Sequence, residues 1–195
     1  MLRAMVDIAL KFLANELTTY LLAQTDAGTG AVQVLLSRLV DDSGKFIVAP
    51  GNICLTLLNV EEERNTKSQL PEYTYINGRH VVREPDLKLN LCILFAPNFT
   101  AYSDALKYLS SVLLFFQSRP AFTPVEYPAL DARITKLVVE FQTLGFEQLS
   151  QLWTFVGGKQ QLSVVYRVRL LVLQPDTPNT IQPPLATIGT NLQNR

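Results

Sequence analysis

Residues Phe146 to Val156 carry apolar side chains at helical spacing, run straight into Gly157-Gly158-Lys159, and are followed by a long strand pattern from Leu162 to Leu173. This unit restricts the fold more than any other stretch. Gly157 is placed to stop the helix in a left-handed conformation, and Gly158 to let the chain reverse. The helix must then lie back on the sheet that the strand joins, because its apolar stripe needs a partner layer. Within the strand, Arg167 and Arg169 alternate with Tyr166, Val168 and Leu170. Both arginines therefore point to one face, together with Leu171 and Leu173. They form either a wet edge of the sheet or a surface that meets carboxylates on another subunit. Trp153, on the Leu149/Leu152/Val156 face, is read as core, with an interface anchor as the alternative.

Upstream, Met5, Ile8, Phe12, Leu13, Leu17, Tyr20 and Leu21 predict an amphipathic helix over 3–22, ended by turn residues Asp26 to Gly30. Strands are expected at Ala31–Val40, Phe46–Val48 and around Ile53–Leu58. Leu87, Leu89, Leu91, Ile93 and Phe95 give the cleanest alternation in the chain. A second helix is expected from an N-cap at Thr100 to Gln117, then an extended passage set by Pro120, Pro124 and Pro128, then a strand through Leu137, Val139 and Phe141. This order predicts a single α/β (α+β) domain, a mixed β-sheet flanked by about three helices, over residues 1–173. Between Glu61 and Asp86, ten charged residues, two prolines and one glycine interrupt any period. That segment reads either as a functional connection or as a solvated loop. Residues 174–195 hold four prolines and two charges, with Ile181, Leu185, Ile188 and Leu192 as sparse anchors. They read as a Pro-rich C-terminal arm, either without order or ordering on a neighbouring subunit.

No chemistry emerges from the residue types. The 195 residues suffice for one core burying about 70% of the unfolded surface, with 17 basic side chains balancing 17 acidic ones. That balance sets up no global field toward nucleic acid or anionic lipid. Asp7, Lys11 and Glu16 interrupt the apolar residues of the first helix and exclude a continuous apolar span, so no membrane insertion is expected and the cytoplasm is the expected compartment. Cys54 and Cys92 fall within apolar strands and make no disulfide framework. His80, the single histidine, has no ligand spacing around it. Gly157-Gly158-Lys159 follows a helix instead of opening one, which rules out a phosphate loop. No catalytic residue, metal or cofactor is assigned.

The phrase Leu152-Trp153, Gly157-Gly158-Lys159, Ser163-Val164, Tyr166 to Val172 resembles the close of one family. Asp7-Ile8-Ala9-Leu10, Gly51-Asn52-Ile53, Leu89 to Ala96, Tyr102 to Gln117 and Leu137 to Leu149 match it in the same order, across roughly residues 5–173. The family is the cap, or tail-terminator, proteins of bacterial extracellular contractile injection systems, which are phage-tail-like particles. The resemblance implies a tail-terminator-like fold and a homohexameric ring. Such a ring closes the inner tube and anchors the end of the sheath, and so sets particle length. Its partners would be the inner-tube protein and the sheath protein. Assembly would take place in the cytoplasm, within a particle that is later released. Glu61, Glu62, Glu63, Arg64, Arg167, Arg169, Ile181 and Leu185 are the candidate subunit or sheath contacts. The competing readings are a contractile-phage tail terminator, a monomeric binding module using the arm, and a small thiol hydrolase pairing Cys92 or Cys54 with His80.

Overall fold

The computed structural model describes residues 5–24, 31–63, 72–76, 79–83, 87–157, 159–172 and 181–182. Its elements are α1 (Met5–Gln24), β1 (Val34–Leu36), β2 (Asn52–Glu62), β3 (Glu72–Ile76), β4 (Arg79–Arg83), β5 (Leu87–Asn98), α2 (Tyr102–Ser118), β6 (Ala121–Phe122), β7 (Ile134–Gln142), α3 (Phe146–Val156), β8 (Val164–Val172) and β9 (Ile181–Gln182). A six-stranded sheet has the order β1-β2-β5-β8-β7-β6. β1 runs parallel to β2 and every other neighbouring pair is antiparallel. The mixed sheet with three helices expected from the sequence is thus present.

Period-two alternation on the central strands divides the core in two. Leu91, Ile93 and Phe95 of β5, with Tyr166, Val168 and Leu170 of β8, meet α1 and α2 on one face. Leu94, Ala96 and Val165 meet Trp153 of α3 and Leu39 and Val48 of the 39–48 loop on the other. Phe95 sits at the centre of the larger core, 5.4 Å from the Phe116 ring and 5.9 Å edge-on to Tyr166. Burial pushes the Tyr166 hydroxyl up to about 12.

The second layer depends on local chemistry. Asp41 Oδ1 accepts from the Ser43 hydroxyl at 2.7 Å and from the Lys45 and Ser43 N–H groups at 2.9 and 2.8 Å, which closes the loop and lowers its own pKa. Gly44, at φ 78°, lies where a Cβ would stand 3.2 Å from the Gly157 carbonyl, so the loop can abut the end of α3 only without a side chain there. Gly157 ends α3 in the left-handed conformation at φ 74°, as its position predicts. At the other end, Gln148 reaches back to accept from the Gly145 N–H at 3.0 Å.

Several expectations are corrected. Ala31–Val40 forms a strand only over Val34–Leu36, and Phe46–Val48 contributes a single bridge, Val40 to Phe46. The N-cap of α2 is Ala101, with no side-chain cap, instead of Thr100. The Pro120–Pro128 passage makes the two-residue β6 and then turns, with the Tyr127 N–H donating to the Thr123 carbonyl at 2.9 Å. The charged 61–86 segment carries β3 and β4, an antiparallel pair. The Asp26–Gly30 turn and Gly158 lie outside the described residues.

Phe95 has no exposed surface, whereas Phe155 is 82% exposed. Phe95→Ala is expected to lower unfolding free energy by about 3–5 kcal/mol, and Phe155→Ala to change it by less than about 0.5 kcal/mol. Urea denaturation of the two variants measures both.

Candidate functional site

α3 covers the outer face of the sheet over Leu94, Ala96 and Val165 and leaves the rest of that face open. Cross-strand register shows what fills the open part. One row runs Glu61, Asn90, Arg169, Val138 across β2, β5, β8 and β7. The next runs Asn59, Cys92, Arg167, Glu140, and Leu171 lies between Lys88 and Lys136. Residues directly opposite in a ladder share a face, so the arginines, two lysines and the acids form one mixed-charge surface. Arg169 is ion-paired to Glu140 of its own chain. Being half exposed, that pair is worth about 0.2–1 kcal/mol. Asn90 Nδ2 donates to Glu63 Oε2 at 2.9 Å. A groove of about 600 Å³ opens here, lined by Glu63, Lys88, Asn90, Lys136, Val138 and Arg169 among others.

The arginines are therefore not on a sheet edge, since β8 lies between β5 and β7. They sit on the exposed face of a central strand whose opposite face is core. Glu61 and Glu62 are the last residues of β2, and Glu63 follows it. Ile181 lies in β9, in register with Val81 of β4. Arg64 and Leu185 lie outside the described residues. Lys136 and Glu140 were not singled out from the sequence, although they alternate with Leu137 and Val139 in the same period as the arginines.

The edges of the large sheet are uneven. β1 pairs only with Ile53–Leu55, and among the described residues no strand pairs with the outer side of β2 from Leu57 to Val60. That side carries protective devices. A register shift falls between Leu57 and Asn59, and the terminal residues are acidic. The Glu63 N–H bonds to the Lys88 carbonyl at 2.9 Å, so the alternate residues Val60 and Glu62 direct their N–H groups away from β5. Asn59 Oδ1 accepts the Val60 N–H at 2.9 Å and so occupies a donor that an incoming strand would need. Elsewhere, the two segments singled out from the sequence meet. β4 of the charged segment pairs with β9 of the C-terminal arm in a three-stranded sheet of order β3-β4-β9.

Nucleophile chemistry finds no support in this geometry. Cys54 is fully buried, and burial raises its thiol pKa. Cys92 is raised by burial first, then by Glu61, against an opposing pull from Arg167. His80 lies on β4, in the other sheet from both cysteines. Among the described residues no cluster of His, Cys, Asp and Glu is arranged to hold a metal, and no helix is long and apolar enough to cross a membrane. At pH 8, Cys54 is expected to stay unmodified by a chromogenic thiol reagent until the protein unfolds, and Cys92 to react more slowly than a free thiol. Stoichiometric fast labelling of Cys54 in the folded protein would contradict its burial.

No curated protein matches this chain. Solved structures share its fold, among them two terminators of contractile injection particles. The sheath/tube terminator of an extracellular contractile injection system, PVC, in its extended state, aligns at a TM-score of 0.56 with 16% identity, over 93% of this chain and 62% of that one. The anti-feeding prophage cap, a tube-terminating cap, aligns at 0.56 with 13% identity, over 92% of this chain and 60% of that one. The chain thus spans less than two thirds of either neighbour. Residues 9–187 match the family model described as the Pvc16 N-terminal domain. With nearly all of its length matched, including the strand that joins the small sheet, the chain belongs to the Pvc16 N-terminal domain family.

Proposed function

We propose that this chain is a structural cap domain that ends the inner tube of a contractile injection particle, anchors the end of the sheath, and thereby fixes particle length. The match of residues 9–187 to the Pvc16 N-terminal domain carries the reading. The fold shared with a sheath/tube terminator and a tube-terminating cap supports it. In this reading the working form is a homohexameric ring, built in the cytoplasm on a tube end and released with the particle. A ring of identical copies needs a heterologous interface, one surface of each copy meeting a different surface of the next. The mixed-charge face around Arg167 and Arg169 suits such an interface, because complementary polar contacts set register and exclude wrong partners. The role is non-enzymatic and needs no cofactor. A contractile-phage tail terminator would use the same physics at the end of a different tube.

Deleting the gene from the producing cell is expected to give overlong tubes or lost sheaths in negative-stain electron micrographs. An unchanged length distribution with intact sheaths would end the cap reading. For the face itself, the variant Arg167→Glu with Arg169→Glu is expected to fold, with a melting temperature within a few degrees of the native chain, and to fail in capping. The half-exposed Glu140 then meets like charge, at a cost of about 1 kcal/mol or less. Normal capping by this variant would remove the charged face from the assembly surface.

A further inference from the structure

The small sheet repeats the large one. Its order, β3-β4-β9, is that of β2-β5-β8, and each of its strands adjoins its counterpart in sequence: β3 follows β2, β4 precedes β5 and β9 follows β8. Both sets are antiparallel throughout. The small sheet thus has the same topology as that three-stranded part of the large sheet. Its third strand differs from the others in how little holds it. β4 meets β3 through five register pairs but meets β9 through two, Val81 with Ile181 and His80 with Gln182. The link from β8 to β9 spans residues 173–180, a length of chain that reaches at most about 28 Å when extended.

We propose that in the assembled ring β9 of one copy pairs with β4 of the neighbouring copy, so that each subunit lends its C-terminal strand to the next. The proposal rests on the ring described above. A strand exchanged between identical chains makes the same main-chain bonds in either place, so exchange costs little. Two register pairs are easily given up within one chain. A neighbour held beside it in a ring presents the same strand at an effective concentration on the order of millimolar. Main-chain pairing on a sheet edge also demands little of the side chains, which suits a polar, proline-containing arm. The edges of the large sheet are poorer acceptors. The outer side of β2 is blocked at Val60 and carries acids, and β1 and β6 have only three and two residues. The β4 edge is where a ring can be tied by backbone hydrogen bonds using a strand the chain already has.

The test separates exchange from pairing within a chain. Chains carrying only Val81→Cys are co-expressed with chains carrying only Ile181→Cys, and particles are purified and oxidised. Directly opposed strand residues have Cα separations within disulfide reach. A disulfide between the two kinds of chain can form only if β9 crosses to a neighbour. Each single variant and the unsubstituted chain, run in parallel, account for crosslinks through Cys54 and Cys92. The expected result is a two-chain species in the mixture that neither single variant produces. His80→Cys with Gln182→Cys repeats the test at the second register position. A chain carrying both substitutions that closes on itself, with no two-chain species in the mixture, overturns the exchange. Absence of any disulfide overturns the β4–β9 pairing itself. Presence of the chain in the particles is scored on the same samples. Exchange failing alone leaves the chain in particles with disulfides inside single chains, whereas failure of the cap reading leaves the particles without it.

Discussion

The pairing of β5 with β8 is the interaction on which the rest of the structure depends. Nine register pairs, Leu87 with Val172 through Phe95 with Val164, hold the two strands at the centre of the large sheet. Because successive residues of a strand point to opposite faces, this ladder specifies two surfaces at once. One face is apolar from Leu91 and Val168 through Phe95 and Val164 and must be covered, which α1 and α2 do. The other changes character along its length: Leu94, Ala96 and Val165 are covered by α3 and the 39–48 loop, Asn90 is half-buried, and Arg167 and Arg169 are left open. A one-residue slip of β8 would send the arginines into the core and Tyr166 and Val168 outward, so register is strongly enforced.

The charged face follows from that ladder. Guanidinium groups on a central strand can keep their hydration only where no helix covers the sheet, and α3 stops short of them. Lys88, Lys136, Glu61 and Glu140 gather around them through register with β2, β5 and β7. The strand order of β2, β5 and β8 recurs in β3, β4 and β9. The charged face and the small sheet thus both adjoin the same three strands in sequence.

How much of this was legible beforehand varied with the physical signal. The closing helix, glycine stop and strand were readable because a 3.6-residue period breaks at Gly157 and a two-residue period begins within a few positions. The buried Trp153 and the common facing of Arg167 and Arg169 followed from the same periods, and the family membership agrees with the resemblance carried by those residues. The β3–β4 pair was missed although the sequence holds its signal: Tyr73, Thr74, Tyr75 and Ile76 lead into Asn77-Gly78, and Val81 and Val82 follow. An Asn-Gly step between β-forming residues marks a hairpin, and the charges flanking it drew attention away. Thr100 failed as a cap because the helix begins one residue later, from Ala101.

Local chemistry in the sequence was enough to determine the three helices and the long strands of the large sheet, which residues share a face on them, and that two cysteines and one histidine lack the spacing of a catalytic or metal site. Those properties depend on period and residue type, which act over a few neighbours. Only the tertiary structure decided that β8 is a central strand, which moves Arg167 and Arg169 from an edge to an open face beside Glu140. It also decided that residues 181–182 pair with 80–81. Both depend on which strands become neighbours across a hundred residues, a choice made by long-range burial that no local period encodes.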